Sequence, residues 1–286
     1  KFEPYQKNGV FYHFQLKIAK KLIFSKWQEA LGGNLQFMIS GSAPLQERLI
    51  RVFTAAGMTI FEGYGLTESS PAGTLNELKN KGFRVGTVGK PLENVEVKIA
   101  EDGEILIKGK NVMLGYYKNP EMTNETIRNG YLHTGDIGII DAEGFLKITD
   151  RKKEIFKTSG GKYIAPAALE SEFKQSRFIE QIMVIGESEK MPAALIQPNF
   201  EFIQKWAKRH DHTIINVTTD QKLLKRIQKE IDFYNQKFGK WEQIKKFEIT
   251  SDEWTIEAGH LTPTMKMKRK VIQEKYKKLV EKIYNS

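Results

Sequence analysis

The sequence predicts a mixed α/β and α+β chain: the remnant of a parallel α/β layer, a small antiparallel β-barrel-like subdomain, then a small α+β domain. Three observations carry this. A strand, helix and strand pattern fills residues 35–61, short alternating strands with tight turns fill 85–149, and Lys-rich amphipathic helices dominate the remainder. The 286 residues suffice for two domains, and 40% apolar content can build real cores. A boundary near Asp150 is the economical division. It gives 1–150, with an α/β segment 1–80 and a β-rich segment 81–150, and 151–286.

Each element follows from a local pattern. Residues 10–31 place Phe14, Ile18, Leu22 and Ile23 at helical spacing between lysines, which predicts an amphipathic surface helix packed on the protein's own core. Residues 35–40 are apolar and β-compatible and run into Gly41-Ser42-Ala43-Pro44. A helix is expected from Pro44, with Leu45, Leu49, Val52, Phe53 and Ala56 on one face and Gly57 as its stop. Residues 58–61 form the second strand, and ligands of such layers sit where strands end and loops begin. Residues 95–99 and 104–108 alternate with period two around Glu101-Asp102-Gly103, a hairpin. Residues 137–140 and 145–149 repeat that plan around Asp141-Ala142-Glu143-Gly144, and Asn119-Pro120-Glu121 starts a short helix between the pairs. Beyond 150, helices are expected over 167–174 and 200–210, and strands over 179–186 and 193–197. Leu223, Leu224, Ile227, Ile231 and Phe238 line a longer helix, and Val271, Ile272, Tyr276, Leu279, Val280 and Ile283 mark a terminal one.

Composition narrows the function. No run of eighteen apolar residues exists, and Lys1-Phe2-Glu3-Pro4 lacks the plan of a signal peptide. The missing initiator Met suggests a piece of a longer chain. With no cysteine, disulfides, thiolate metal sites and thiol nucleophiles are excluded, and a cytoplasmic setting is compatible. The net charge of +10 is uneven: 18 Lys and Arg oppose 17 Asp and Glu up to residue 150, but 27 oppose 18 afterwards, giving +1 and +9. The second half therefore attracts polyanions such as nucleotide triphosphates, a phosphorylated thiol cofactor or an anionic membrane surface. Nucleic acid is not expected, since zinc-finger spacing and RNA-binding aromatic signatures are lacking. Peripheral membrane contact is left open, and oligomeric state is not legible.

Four stretches hold the candidate chemistry. Asp150 to Pro166 mixes charge with Gly160 and Gly161 and reads as a hinge followed by a mobile loop, or as an ordinary basic linker. In Glu62-Gly63-Tyr64-Gly65-Leu66-Thr67-Glu68, glycines bracket an aromatic and a hydroxyl and carboxylate follow. That suits a ring to stack on, a phosphate bond and a Mg²⁺ ligand, although a capped Gly-rich turn looks the same. Asp136, after Gly135 at a strand start, can accept two sugar hydroxyls or merely brace a turn. Lys266, on a loop after Pro263, can reach a cleft as a point charge or flank a helix. His13, His133, His210, His212 and His260 show no metal or triad spacing.

Taken together and in order, Ser40-Gly41-Ser42-Ala43-Pro44, Glu62 to Ser69, Tyr131-Leu132-His133-Thr134-Gly135-Asp136, and Ile148 to Lys153 with Lys266 resemble the AMP-forming acyl-CoA synthetases of the adenylate-forming superfamily. The likeness spans almost the whole chain. The stretch Phe156 to Lys162 and the ending Thr264 to Arg269 look most like long-chain fatty acid CoA ligases, ATP-dependent acid–thiol ligases of lipid metabolism.

The resemblance implies roles residue by residue. Tyr64 would stack on adenine beside Gly41, Ser42, Ala43, Glu62 and Gly63, Thr67 would bond the α-phosphate, and Glu68 would hold Mg²⁺. Asp136 would take the ribose hydroxyls with Arg151. Lys153 matches the hinge of a mobile C-terminal lid, Lys266 the lysine bridging carboxylate and phosphate, and Lys157 a neighbour of the nucleotide. Gly160, Gly161 and Lys162 would meet CoA. The implied reaction joins a fatty acid to ATP as acyl-AMP, releasing pyrophosphate, and passes the acyl group to CoA. The family's Ser/Thr/Gly-rich phosphate loop has no counterpart here, so 1–150 is expected to be the C-terminal part of the large adenylate-binding domain, and this chain alone to be inactive. The competing readings are transfer of the acyl group to a carrier protein and a non-catalytic nucleotide-binding module.

Overall fold

The computed structural model describes residues 2–6 and 9–285; Lys1, the first residue of the stretch read for a leader, lies outside them. The chain divides into two compact units, Lys1–Thr149 and Asp150–Ser286. Among the described residues no helix is long and apolar enough to cross a membrane.

In the first unit, strands Phe37–Ser40 and Thr59–Tyr64 pair in parallel with Ser40 opposite Glu62, so the second strand runs on two residues past the end of the first. Two short antiparallel strands, Thr74–Leu75 and Lys90–Pro91, complete this four-stranded sheet. Helix Glu47–Ala55 connects the parallel pair and packs Ile50, wholly buried, against Phe61 and Phe83. It starts three residues later than expected: Gln46, at its N-cap, keeps ψ at 122°, outside the helical region, and the Leu45 N–H before it is taken by Glu62 Oε1. Gly57 (φ 89°) ends it, with the Met58 N–H donating back to the Phe53 carbonyl.

The segment before this layer departs from expectation. Residues 10–30 are helical, as Val10–Ala19, a π-helical turn Lys20–Phe24 and Ser25–Ala30, but none is buried. Phe11, Phe14, Leu22 and Ile23 are 73%, 61%, 60% and 48% exposed, so the apolar face does not rest on the unit's own core. The end of the run reaches the unit. Trp27 lies 5.7 Å from the Phe53 ring, and Gln28 donates to the Ala56 carbonyl.

The rest of the unit is a five-stranded sheet. Val95–Ile99 and Glu104–Gly109 form the expected hairpin, and Glu104–Gly109 pairs antiparallel with the ten-residue strand Tyr131–Ile140. That strand also pairs with Ile127–Arg128 and Leu146–Arg151. Helix Pro120–Thr126 begins where expected, with Asn119 accepting the Met122 N–H and Pro120 at its first turn. Ile105, Ile107, Leu132, Leu146 and Tyr64 form the core beneath the sheet.

In the second unit, Ile179–Ile185 pairs antiparallel with Ala193–Pro198, which pairs in parallel with Lys246–Ile249. Alternation sorts the side chains. Ile182, Val184, Ala194 and Ile196 face a core built with helices Pro166–Phe173, Phe200–Arg209 and Gln221–Asn235, whereas Met183, Ile185, Ala193 and Leu195 face one built with Ile272, Tyr276 and Ile283. The single terminal helix expected is two, Arg269–Lys275 and Lys277–Asn285. The strand Lys246–Ile249 has no counterpart in the sequence reading.

Candidate active site

The expected site residues of the first unit gather at the carboxyl end of its parallel strands. The Gly41-Ser42-Ala43-Pro44 loop leaves strand Phe37–Ser40 there, and the Leu45 N–H donates to Glu62 Oε1 at 3.2 Å, joining that loop to the neighbouring strand. Glu62 is 8% exposed, and burial pushes its carboxyl up to about 7 against the lowering effect of the Leu45 N–H. Buried Asn76 braces the same strand end, donating to the carbonyls of Glu62 and Thr87.

Tyr64 and Asp136 meet. The Tyr64 ring sits in the core cluster and its hydroxyl donates to Asp136 Oδ2 at 2.7 Å, across 72 positions of sequence. Asp136 is not at a strand start, as expected, but within the strand Tyr131–Ile140, on a bulge. Glu104 opposes Ile137 and Leu106 opposes His133, so Thr134, Gly135 and Asp136 together face Ile105. Gly135 takes φ 70°, a conformation that favours glycine, and its N–H donates to Glu104 Oε1. Thr134 Oγ1 donates to the Ile105 carbonyl and accepts the Asp136 N–H. The bulge re-aims Asp136 out of the ladder, and buried Glu104, also 3.1 Å from His133 Nδ1, fills the space behind it.

Thr67 and Glu68 follow on a 3₁₀ turn, Thr67–Ser69. Gly65 is obligatory before it, since a Cβ there would lie 1.9 Å from the Pro71 carbonyl oxygen. Buried Ser69 both accepts the Leu66 N–H and donates to the Leu66 carbonyl, leaving Thr67 exposed at the tip. The Glu68 carboxylate accepts the Tyr116 hydroxyl at 2.8 Å, and the Glu68 carbonyl accepts the Met113 N–H. Among the described residues no group of three or more His, Cys, Asp or Glu could hold a metal alone. A single carboxylate is what a Mg²⁺ carried in on phosphates needs, so Glu68 fits that limited task.

In the second unit the candidates fall on three features. Arg151, the exposed last residue of the strand Leu146–Arg151, and Lys153, exposed in the turn that follows, lie just after buried Asp150, which accepts the N–H groups of Arg151 and Ala167. Burial raises the Asp150 carboxyl to about 6. Lys157, Gly160, Gly161 and Lys162 share a tight hairpin in which Phe156–Lys157 pairs with Tyr163–Ile164. The hairpin rests on the next turn, with the Ser188 N–H donating to the Lys157 carbonyl and the Ser159 N–H to the Glu189 carbonyl. Lys266, half-buried, sits on a second hairpin closed by the bridge between Leu261 and Met267, and its N–H donates to Thr262 Oγ1. Three residues on, Arg269 grips both oxygens of buried Glu170 at 2.7 Å and reaches Glu154 at 3.3 Å. Partners such as Glu104, Tyr116, Asn76 and Arg269 escape sequence reading, because each acts through a contact remote in numbering.

Residues 8–117 match the AMP-binding enzyme family, and residues 153–286 match the AMP-binding enzyme C-terminal domain. The long-chain-fatty-acid–CoA ligase FadD15 of Mycobacterium bovis is 40% identical over 272 residues, covering 94% of this chain and 45% of that protein. The long-chain-fatty-acid–CoA ligase 6 of Homo sapiens is 35% identical, covering 94% and 41%. The chain thus spans less than half the length of these relatives. Among solved structures, the adenylation domain of a carboxylate reductase from Mycobacterium chelonae superposes with TM-score 0.73 at 24% identity, covering 94% of this chain and 42% of that one. The O-succinylbenzoate coenzyme A synthetase of Bacillus subtilis, with ATP and magnesium ion bound, gives TM-score 0.58 at 26% identity, covering 75% and 42%.

Proposed function

We propose, for a chain that belongs to the AMP-binding enzyme family, that it is part of an AMP-forming long-chain fatty acid CoA ligase and supplies the sugar- and phosphate-facing side of its adenylate site. The relatives named long-chain-fatty-acid–CoA ligase support the substrate class. The observation that carries the site assignment is the Tyr64 hydroxyl on Asp136 at 2.7 Å, which joins two separate motifs at the end of a parallel strand.

In this reading Asp136 receives the ribose hydroxyls, Thr67 bonds the α-phosphate, and the backbone of Gly41 to Ala43 and of Glu62 and Gly63 lies beside the adenine with Tyr64. Mg²⁺ held by Glu68 would neutralise phosphate charge. The chemistry needs activation because a carboxylate resists a thiol. The acid oxygen attacks the α-phosphorus of ATP, pyrophosphate leaves, and the mixed anhydride then yields its acyl carbon to the CoA thiol with AMP departing. Charge that develops at phosphorus calls for a fixed cation, which we assign to Lys266 on its closed hairpin. Lys157, Arg151 and the hinge Lys153 belong to the C-terminal unit, which we assign as the lid; Gly160, Gly161 and Lys162 offer a low, basic surface to phosphorylated CoA. Turning that lid exchanges Lys266 for thiol access, a gating step.

The test uses the full-length enzyme. Lys266→Ala should lower ATP–pyrophosphate exchange about 10² to 10³-fold, while thioester formation from supplied acyl-adenylate falls much less. Equal losses in both half-reactions contradict the role. The 286 residues alone should form no acyl-CoA, and measurable product from the purified chain contradicts that.

A further inference from the structure

We infer that Tyr116 is a positioning residue for Glu68: its hydroxyl, on a segment clamped to the Thr67–Ser69 turn, fixes the carboxylate before nucleotide and metal arrive. The inference rests on the assignment of Glu68 above.

The geometry is specific. The Tyr116 hydroxyl donates to Glu68 Oε1 at 2.8 Å. The same segment holds the turn's backbone by three more hydrogen bonds. Asn111 Nδ2 donates to the carbonyls of Ser69 and Ala72 at 3.1 and 2.8 Å, and the Met113 N–H donates to the Glu68 carbonyl at 2.8 Å.

The clamp is itself anchored on its far side. The Tyr116 N–H donates to Thr123 Oγ1 at 2.9 Å, and that hydroxyl donates to the Asn119 carbonyl within the capped helix Pro120–Thr126. Gly115 passes so close that a Cβ would lie 2.6 Å from Thr123 Cγ2. Tyr116 is therefore held from two sides, by the helix through Thr123 and by the turn it serves. A glutamate side chain left to itself loses rotamer freedom on binding a metal, and a partner that has already fixed it removes that cost.

The experiment compares Tyr116→Phe, Glu68→Gln and Tyr117→Phe in the full-length enzyme, the last altering an 88% exposed neighbour. Mn²⁺ binding in the presence of a non-hydrolysable ATP analogue is followed by electron paramagnetic resonance, beside the Mg²⁺ dependence of ATP–pyrophosphate exchange and a thermal melt. Tyr116→Phe should weaken Mn²⁺ binding about tenfold, the low end for loss of a ligand's supporting partner. Its exchange rate should recover at saturating Mg²⁺, with an unchanged melt, and Tyr117→Phe should match the parent. If Glu68→Gln weakens Mn²⁺ binding while the Tyr116→Phe titration superimposes on the parent, the positioning role is overturned and the assignment of Glu68 stands. If Glu68→Gln changes nothing either, both fall.

Discussion

The two units treat their apolar surface differently, although they are of nearly equal length. In Asp150–Ser286 the three-stranded sheet is covered on both faces, and Ile182, Ile196, Ile227 and Ile231 are wholly buried. In Lys1–Thr149 the parallel pair has an open edge, where Phe37 and Ile39 are 50% and 62% exposed, and the helix before it exposes Phe11, Phe14 and Leu22. Sequence composition locates a boundary between such units, but only burial shows that one closes both faces of its sheet while the other leaves apolar residues open.

The strongest way to break this contrast is to separate the units. Residues 150–286 expressed alone should give a cooperative thermal transition and dispersed amide resonances, whereas residues 1–149 alone should aggregate. A soluble, monomeric and cooperatively melting 1–149 would contradict the account. Single substitutions sharpen it. Ile227→Ala should destabilise the second unit by about 2–5 kcal/mol in urea titrations, through lost burial and the cavity left behind. Phe14→Ser, at an exposed position, should change stability by less than about 0.5 kcal/mol and reduce aggregation.

A smaller difference concerns pH, because burial raises the folded pKa of a carboxylate in each unit, Glu62 from 4.5 to about 7 and Asp150 from 3.8 to about 6, with Glu170 of the second unit also raised. A raised carboxyl means that the unfolded chain ionises first. Each contribution is fully present below the unfolded value and is lost as pH rises to the folded one. Stability should therefore fall from about pH 4.5 to 7 for Glu62 and from about 3.8 to 6 for Asp150. Glu62→Gln and Asp150→Asn should each flatten its own window in urea midpoints measured against pH. A parent profile already flat between pH 4 and 7 would contradict both.

Local signals were legible where the governing contact is local. The turn of the 95–99 and 104–109 hairpin, the Asn119 cap with Pro120 and the Gly57 stop all follow from residues a few positions apart. The long strand Tyr131–Ile140 was not, because Gly135 and Gly138 interrupt its alternation and made Asp136 look like a turn residue. Asp136 itself was legible as a candidate, but its bulge was not, since Glu104 fills it from 31 positions away. Lys246–Ile249 is four residues long and Lys-flanked, too short to declare itself, and pairing to a buried strand makes it regular. The exposed face of residues 10–30 was misread for a related reason, since periodicity shows that a face is apolar but not what covers it.

The most direct test of the adenylate site is nucleotide binding by the full-length enzyme, comparing ATP with 2′,3′-dideoxy-ATP in the parent and in Asp136→Ala. The parent should bind ATP at least about tenfold more tightly, since a hydrogen bond to a charged acceptor contributes about 1.5–3 kcal/mol. Asp136→Ala should bind both nucleotides alike, near the parent's affinity for the dideoxy form. Parent-like discrimination by Asp136→Ala would show that the sugar is held elsewhere.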